Sequence, residues 1–283
     1  MAAKFFGQFL LEQGLIDRDQ LLAALEIQRD SNPLLGELAQ ARGMLDIAQA
    51  QAINDQQRRQ DKRFGDIAQS LGLLSASQVD ELLAQQKSQR KLFGEILVEQ
   101  GMLDRDAIEQ ALRAQASERD DAVSALDLGV AGHPLGDVLG SAIGNCNKLF
   151  PRILKARCQF SAVVQSTADL ADCAVTGHVR VDAQAPLSIG MACDEATMTN
   201  IASAFLLISA DDCDTALAQD AMGELLNVLM GYVVKDTLAD DEQYRASPPD
   251  FGTPIDALLA RGEQPLAVSM ISELGPFVLV VSR

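Results

Sequence analysis

Glu224 and Asn227 stand three residues apart in the segment Asp220-Ala-Met-Gly-Glu-Leu-Leu-Asn-Val-Leu-Met-Gly231, whose periodicity predicts one long helix from roughly Ala216 to Leu238. On such a helix Ala221, Met222, Leu225, Leu226, Leu229 and Val233 share one broad apolar face, while Asp220, Glu224, Asn227 and Gly231 line a narrow polar one. A side-chain amide is both acceptor and donor, so it can fix a single water molecule in direction. Glu224 places a carboxylate one turn earlier on the same face. Gly223 and Gly231 lie four residues on either side of Asn227, and each costs about 1 kcal/mol against alanine inside a helix. The pair predicts that something packs closely against this helix.

The rest of the chain must position that face. Its 283 residues, 48% of them hydrophobic, suffice for two packed domains. A formal net charge of -17 repels polyphosphate backbones and argues against nucleic-acid binding. No stretch is apolar enough for a membrane span, and Met-Ala-Ala-Lys-Phe-Phe-Gly-Gln turns polar before a signal-peptide core develops, so a cytoplasmic protein is expected. Cys146, Cys158, Cys173, Cys193 and Cys213 form no Cys-x-x-Cys pair and read as buried thiols, with no metal site. His133, His178 and serines 141, 203 and 209 sit in no triad setting, and Asp211, Asp212 and Asp214 read as a solvated acidic loop.

Four repeats organise residues 1–118. Glycines at 7, 36, 65 and 94, and again at 14, 43, 72 and 101, advance in steps of 29 residues. In the same register Asp17, Asp46, Ser75 and Asp104 would N-cap a second helix, with Gln20, Gln49 and Gln78 completing capping boxes, and Gln28, Gln57, Gln86 and Gln115 end each unit. Each unit is thus expected to be a helical hairpin, its seam marked by Leu10, Leu21 and Leu25 in unit one and Leu97, Ile108 and Leu112 in unit four. Unit two is weakest, with Ala39, Ala50 and Asn54 at those places. A hairpin this short cannot bury its own apolar face, so neighbouring units are expected to stack.

These units resemble the MshEN family, the N-terminal domain of type II secretion and pilus ATPases, with its paired repeats of Arg-Leu-Gly-x-x-Leu-x-x-x-Gly followed by Leu-x-x-x-Leu-x-x-Gln. The resemblance implies two such domains and, as in some family members, a site for cyclic di-GMP. The arginine position reads Phe5, Leu34, Arg63 and Leu92, Phe64 replaces a leucine, and Ala68 stands where a leucine is expected. Only unit three keeps the arginine, so the nucleotide site the resemblance implies falls on units three and four, on Arg63, Phe64, Gly65, Gly72, Gln86, Gly94, Gly101 and Gln115, with Lys62 and Lys91 adding positive charge. The alternative is a helical platform that docks a protein partner.

A charged and then glycine- and proline-punctuated stretch, 119–135, reads as a linker. Beyond it, over 136–283, helical patterns near 136–157, 195–207 and 216–238 mix with strand patterns near 160–165, 174–181, 187–192, 266–271 and 276–282. The fold class expected is all-α helical-hairpin repeats followed by an α+β domain with an antiparallel sheet.

The second half resembles the CheX branch of the CheC, CheX and FliY family. The resemblance rests on Gly223-Glu224-Leu-Leu-Asn227-Val-Leu-Met-Gly231, on Ser247-Pro248-Pro249 and Gly252, and on Val175-Thr-Gly-His-Val-Arg-Val and Leu187-Ser-Ile-Gly-Met. Leu226 and Met230 stand where the family pattern differs, and the first long helix, Gly140-Ser-Ala-Ile-Gly-Asn-Cys-Asn-Lys, lacks the second Glu-x-x-Asn of CheC-type members. What the resemblance implies is one site per chain for hydrolysis of a receiver domain's aspartyl phosphate. Asn227 would hold the water, Glu224 would hold the receiver's lysine, and the Mg2+ would belong to the receiver, leaving this chain with no cofactor of its own. The alternative is a module that binds a receiver without turnover. A homodimer is compatible with either.

Overall fold

The computed structural model describes residues 4–60, 62–170, 172–239, 242–260 and 265–283, in two compact units. No helix among the described residues is long and apolar enough to cross a membrane.

The first unit, Lys4–Ser117, alternates short and long helices: α1 (Phe6–Glu12), α2 (Arg18–Ser31), α3 (Leu35–Ala41), α4 (Ile47–Gln60), α5 (Phe64–Ser70), α6 (Ala76–Gln89), α7 (Phe93–Glu99) and α8 (Arg105–Val130). Each short helix ends at a left-handed glycine, with φ of +66° at Gly14, Gly43 and Gly101 and +68° at Gly72. Asp17, Asp46 and Ser75 then exchange hydrogen bonds with Gln20, Gln49 and Gln78 in capping boxes, and Asp104 accepts from the Ala107 N–H.

Hairpins pair, but not simply as neighbours. The second and third share one core, around Leu38, Ile53, Ile67 and Leu82; the first and fourth share another, around Phe9, Leu10, Ile96 and Leu97. Two repeat positions set this choice. One reads Leu10, Ala39, Ala68, Leu97 and the other Ala24, Ile53, Leu82, Ala111, all buried. In the outer pair the bulk sits on the short helices and alanine on the long ones; in the inner pair the arrangement is reversed. Close packing demands that kind of volume compensation. The seam expected from sequence is corrected at its outer end, because Leu25 and Leu112 are exposed and Ala24 and Ala111 are buried beside them.

The terminal glutamines tie the pairs together. Gln57 Nε2 donates to the Lys62 carbonyl at 3.2 Å, Gln86 Nε2 to Pro33 at 2.9 Å and Gln115 Nε2 to Lys4 at 2.7 Å. Each acceptor immediately precedes the N-cap of the partner hairpin's short helix. At the fourth such place Asn32 both donates to and accepts from the Lys91 backbone, each at 3.0 Å. Bonds of this kind are worth about 0.5–1.5 kcal/mol each, and their placement fixes which hairpin meets which.

In the second unit, Glu118–Arg283, the stretch read as a linker is helical through Val130. Ala122 is buried in this unit's core, and Leu126 and Val130 pack against it. Their i, i+4, i+8 spacing is an amphipathic stripe that the surrounding charges obscured. There follow α9 (Gly136–Leu149), a π-helical turn (Phe150–Leu154), β1 (Cys158–Val163), β2 (Val175–Asp182), β3 (Leu187–Cys193), α10 (Glu195–Leu206), α11 (Thr215–Thr237), β4 (Arg245–Ala246), α12 (Ile255–Ala260), β5 (Leu266–Ser272) and β6 (Gly275–Ser282). The strands form one antiparallel sheet in the order β1-β5-β6-β3-β2-β4. Val179, Val181, Ile189 and Met191 face the core beneath α9, α10 and α11, while Ala192, Val278 and Val280 face α12, so central β3 is buried throughout. The α+β reading holds; β4 and α12 are additions, both too short to show in the sequence pattern.

Candidate active site on the exposed ridge of α11

Asp214 starts α11 by accepting from the Leu217 N–H at 2.8 Å. Ala221, Met222, Leu225, Leu226, Leu229 and Val233 are all buried against the sheet and the neighbouring helices. Their burial fixes the helix rotation, and at 100° per residue Asp220, Glu224, Asn227 and Gly231 must then fall within about 60° of one another on the outer side. Asp220, Glu224 and Gly231 are exposed and Asn227 is half-buried. Neither the Glu224 carboxylate nor the Asn227 amide has a hydrogen bond or ion pair among the described residues.

One expected close contact exists at Gly223, where a Cβ would lie 3.1 Å from both Cβ and Cγ of Pro249. The loop bearing Pro249 is held from below. The Ser247 N–H donates to the Arg180 carbonyl at 2.8 Å, and His178 and Asp250 exchange backbone hydrogen bonds of 3.0 and 2.9 Å. The Asp250 carboxylate accepts from the Gly252 N–H and the Thr253 hydroxyl, both at 2.8 Å. Leu226 is accommodated by Gly177 of β2, where a Cβ would stand 3.1 Å from Leu226 Cδ1. The expectation fails at Gly231, where nothing lies within 4 Å of the position a Cβ would take.

Residues 175–268 match the family model described as chemotaxis phosphatase CheX. The second unit thus holds a CheX-like domain, and the matched stretch includes both the α11 ridge and the Pro249 loop. No curated protein matches the chain. Among solved structures, the CheX–CheY–BeF3–Mg2+ complex from Borrelia burgdorferi is similar at 16% identity and a TM-score of 0.41, over 52% of this chain and 96% of that one. CheX from Desulfovibrio desulfuricans is similar at 12% identity and 0.38, over 51% and 97%. FliY from Thermotoga maritima is similar at 16% identity and 0.37, over 52% and 87%.

The far end of α11 in the CheX-like domain is anchored by a cluster that the sequence reading missed. Asp236 Oδ2 accepts from Ser141 Oγ at 2.8 Å and from Asn145 Nδ2 at 2.9 Å, both on α9. Asn145 is only 5% exposed, so this asparagine of α9 serves packing. The signal was available, since Ser141 and Asn145 lie four apart on one helix face. These two hydrogen bonds, and more weakly Lys148 and Lys235, hold the Asp236 carboxyl below its ordinary range. A depressed carboxylate stabilises the fold above its unfolded pKa and loses that contribution as pH falls through the folded value. Asp236→Asn should therefore melt below wild type at neutral pH, with the gap closing at acid pH. Thermal melts between about pH 7 and pH 2 check this, and a gap that persists unchanged refutes it.

The residues expected to form a nucleotide site are divided. Arg63, Phe64, Gly65, Gly72 and Gln86 belong to the inner pair of hairpins, whereas Gly94, Gly101 and Gln115 belong to the outer pair. Arg63 is exposed at the N-cap of α5. Gly65 is buried, with a Cβ there 2.8 Å from Val79 Cγ1; Gly72 and Gly101 serve as helix caps; both glutamine amides are engaged in pairing.

Of the cysteines, only Cys173 is not fully buried. Burial pushes the Cys146 and Cys193 thiols up to about 12, with Asp194 adding to the effect at Cys193. Such thiols are protonated and unreactive at neutral pH. Asp211, Asp212 and Asp214 are exposed, and the described residues contain no cluster suited to a metal ion.

Proposed function

We propose that this chain hydrolyses the aspartyl phosphate of a response-regulator receiver domain. The observation that carries this reading is the pair Glu224 and Asn227, projecting from α11 with no hydrogen-bond or ion-pair partner among the described residues, inside the stretch that matches the CheX family model. Phosphoryl transfer passes through a loose transition state, so a water held in line matters more than a strong base. The Asn227 amide accepts one hydrogen bond from that water and donates another toward the phosphoryl group. Glu224, one turn away, receives the cationic side chain of a receiver lysine; this contact gains strength as docking excludes water. The Mg2+ that balances the phosphoryl charge is the receiver's. Phosphate release from receivers of the source organism, phosphorylated with acetyl phosphate and mixed with the full chain, tests the activity; release no faster than the receiver's own refutes it.

For the repeats, we propose a partner-docking role. The residues expected at a cyclic di-GMP site fall in two separate hairpin cores, and the Gln86 and Gln115 amides already donate to backbone carbonyls within the fold. Calorimetry with cyclic di-GMP is expected to give no binding heat. Saturable heat that Arg63→Ala abolishes would restore the sensor reading.

A further inference from the structure

Gly231 has no packing explanation among the described residues. It lies within α11, which continues to Thr237, and it is not among the glycines of positive φ. It is exposed, and a Cβ there would meet nothing within 4 Å. Gly223 in the same helix differs on each count, being buried and pressed by Pro249. A glycine inside a helix is unfavourable relative to alanine, and at 231 no internal contact offsets this.

The direction of helical side chains supplies a reason. Each Cα–Cβ bond tilts toward the helix N-terminus, and long side chains lie back over the residue one turn earlier. One turn before Gly231 on the same ridge is Asn227. A leucine or methionine at 231 would lie over the amide and fill the space from which a phosphorylated surface must approach. Asn227 is already half-buried, so a modest cover would suffice.

Resting on the receiver-phosphatase reading above, we infer that Gly231 is a positioning residue whose missing side chain keeps the Asn227 amide open to the receiver's phosphoryl group. It touches neither water nor phosphate; it acts by leaving the neighbouring residue uncovered.

The test compares Gly231→Ala, Gly231→Leu and Asn227→Ala with wild type in the full chain, with acetyl-phosphate-treated receivers as substrate. Both Gly231 variants should melt at or above the wild-type temperature, because alanine and leucine are better helix formers. The alanine variant, whose methyl is too short to reach the amide, should keep activity. The leucine variant should lose about tenfold or more in kcat, the size of effect that misaligned reacting groups produce. Wild-type turnover by Gly231→Leu beside an inactive Asn227→Ala would overturn the role of Gly231 and leave the phosphatase standing. A Gly231→Leu variant that is slow only because it melts early would also overturn it, by showing a structural role. An inactive wild type would overturn both.

Discussion

Replacing Asn227 with alanine should reduce receiver dephosphorylation by about 10²- to 10³-fold while leaving the fold intact. The magnitude is that of removing one preorganised polar group from a transition state. It is expected here because no other amide or imidazole shares the ridge, whose remaining positions are Asp220, Glu224 and Gly231. The stability half of the expectation follows from geometry. Asn227 makes no hydrogen bond among the described residues, so the melting transition should shift by less than about 0.5 kcal/mol equivalent, as at other sites without internal partners. Steady-state phosphate release and a thermal melt of the same preparation check both halves. Equal turnover by variant and wild type would remove the amide from the mechanism, and release by neither above the receiver's own rate would leave a receiver-binding module.

The second large effect lies in the repeats and runs against consensus logic. Ala68 departs from the leucine of its repeat, so Ala68→Leu looks like an improvement on sequence grounds. Ala68 is fully buried, as are Ile53 and Leu82, which supply the bulk of that core from the long helices. Added methylenes would crowd those buried side chains, and Ala68→Leu should destabilise the repeat unit by about 1–3 kcal/mol. Leu82→Ala empties the same layer and should cost about 2–5 kcal/mol, whereas Leu112→Ala, at a position 45% exposed, should cost less than 1 kcal/mol or so. Urea unfolding followed by a probe placed in the repeat unit measures all three. A stabilised Ala68→Leu would contradict the exchange of volume between short and long helices.

Much of this architecture was written in local pattern. The faces of α11 follow from periodicity alone, because its buried residues are apolar or glycine and its ridge carries Asp220, Glu224, Asn227 and Gly231. Capping boxes and left-handed glycines were legible since each is complete within a few residues. The helical extension past Ser117 was hidden by its charges, although Ala122, Leu126 and Val130 mark the stripe. The pairing of hairpins was also present, in Leu10, Ala39, Ala68 and Leu97 read against Ala24, Ile53, Leu82 and Ala111, but the alanines resemble decay until the compensating position is set beside them. Local reading finds the Ser141 and Asn145 half of the Asp236 cluster but not Asp236 itself, nor the contact of Pro249 with Gly223, because those partners come from distant parts of the chain. The significance of Gly231 emerged by subtraction, once Gly223 had been explained and it had not.

Gln115 reaches the carbonyl of Lys4 across 111 residues of chain, so the last hairpin closes on the first. An open solenoid can gain or lose a module at either end and fold outward from any seed; this array cannot. A fifth hairpin would find no vacant mate, deleting one would strand another, and the outermost docking must await the full synthesis of the segment. The number of modules is sealed by nesting, and the expected signature is slow assembly governed by the longest loop.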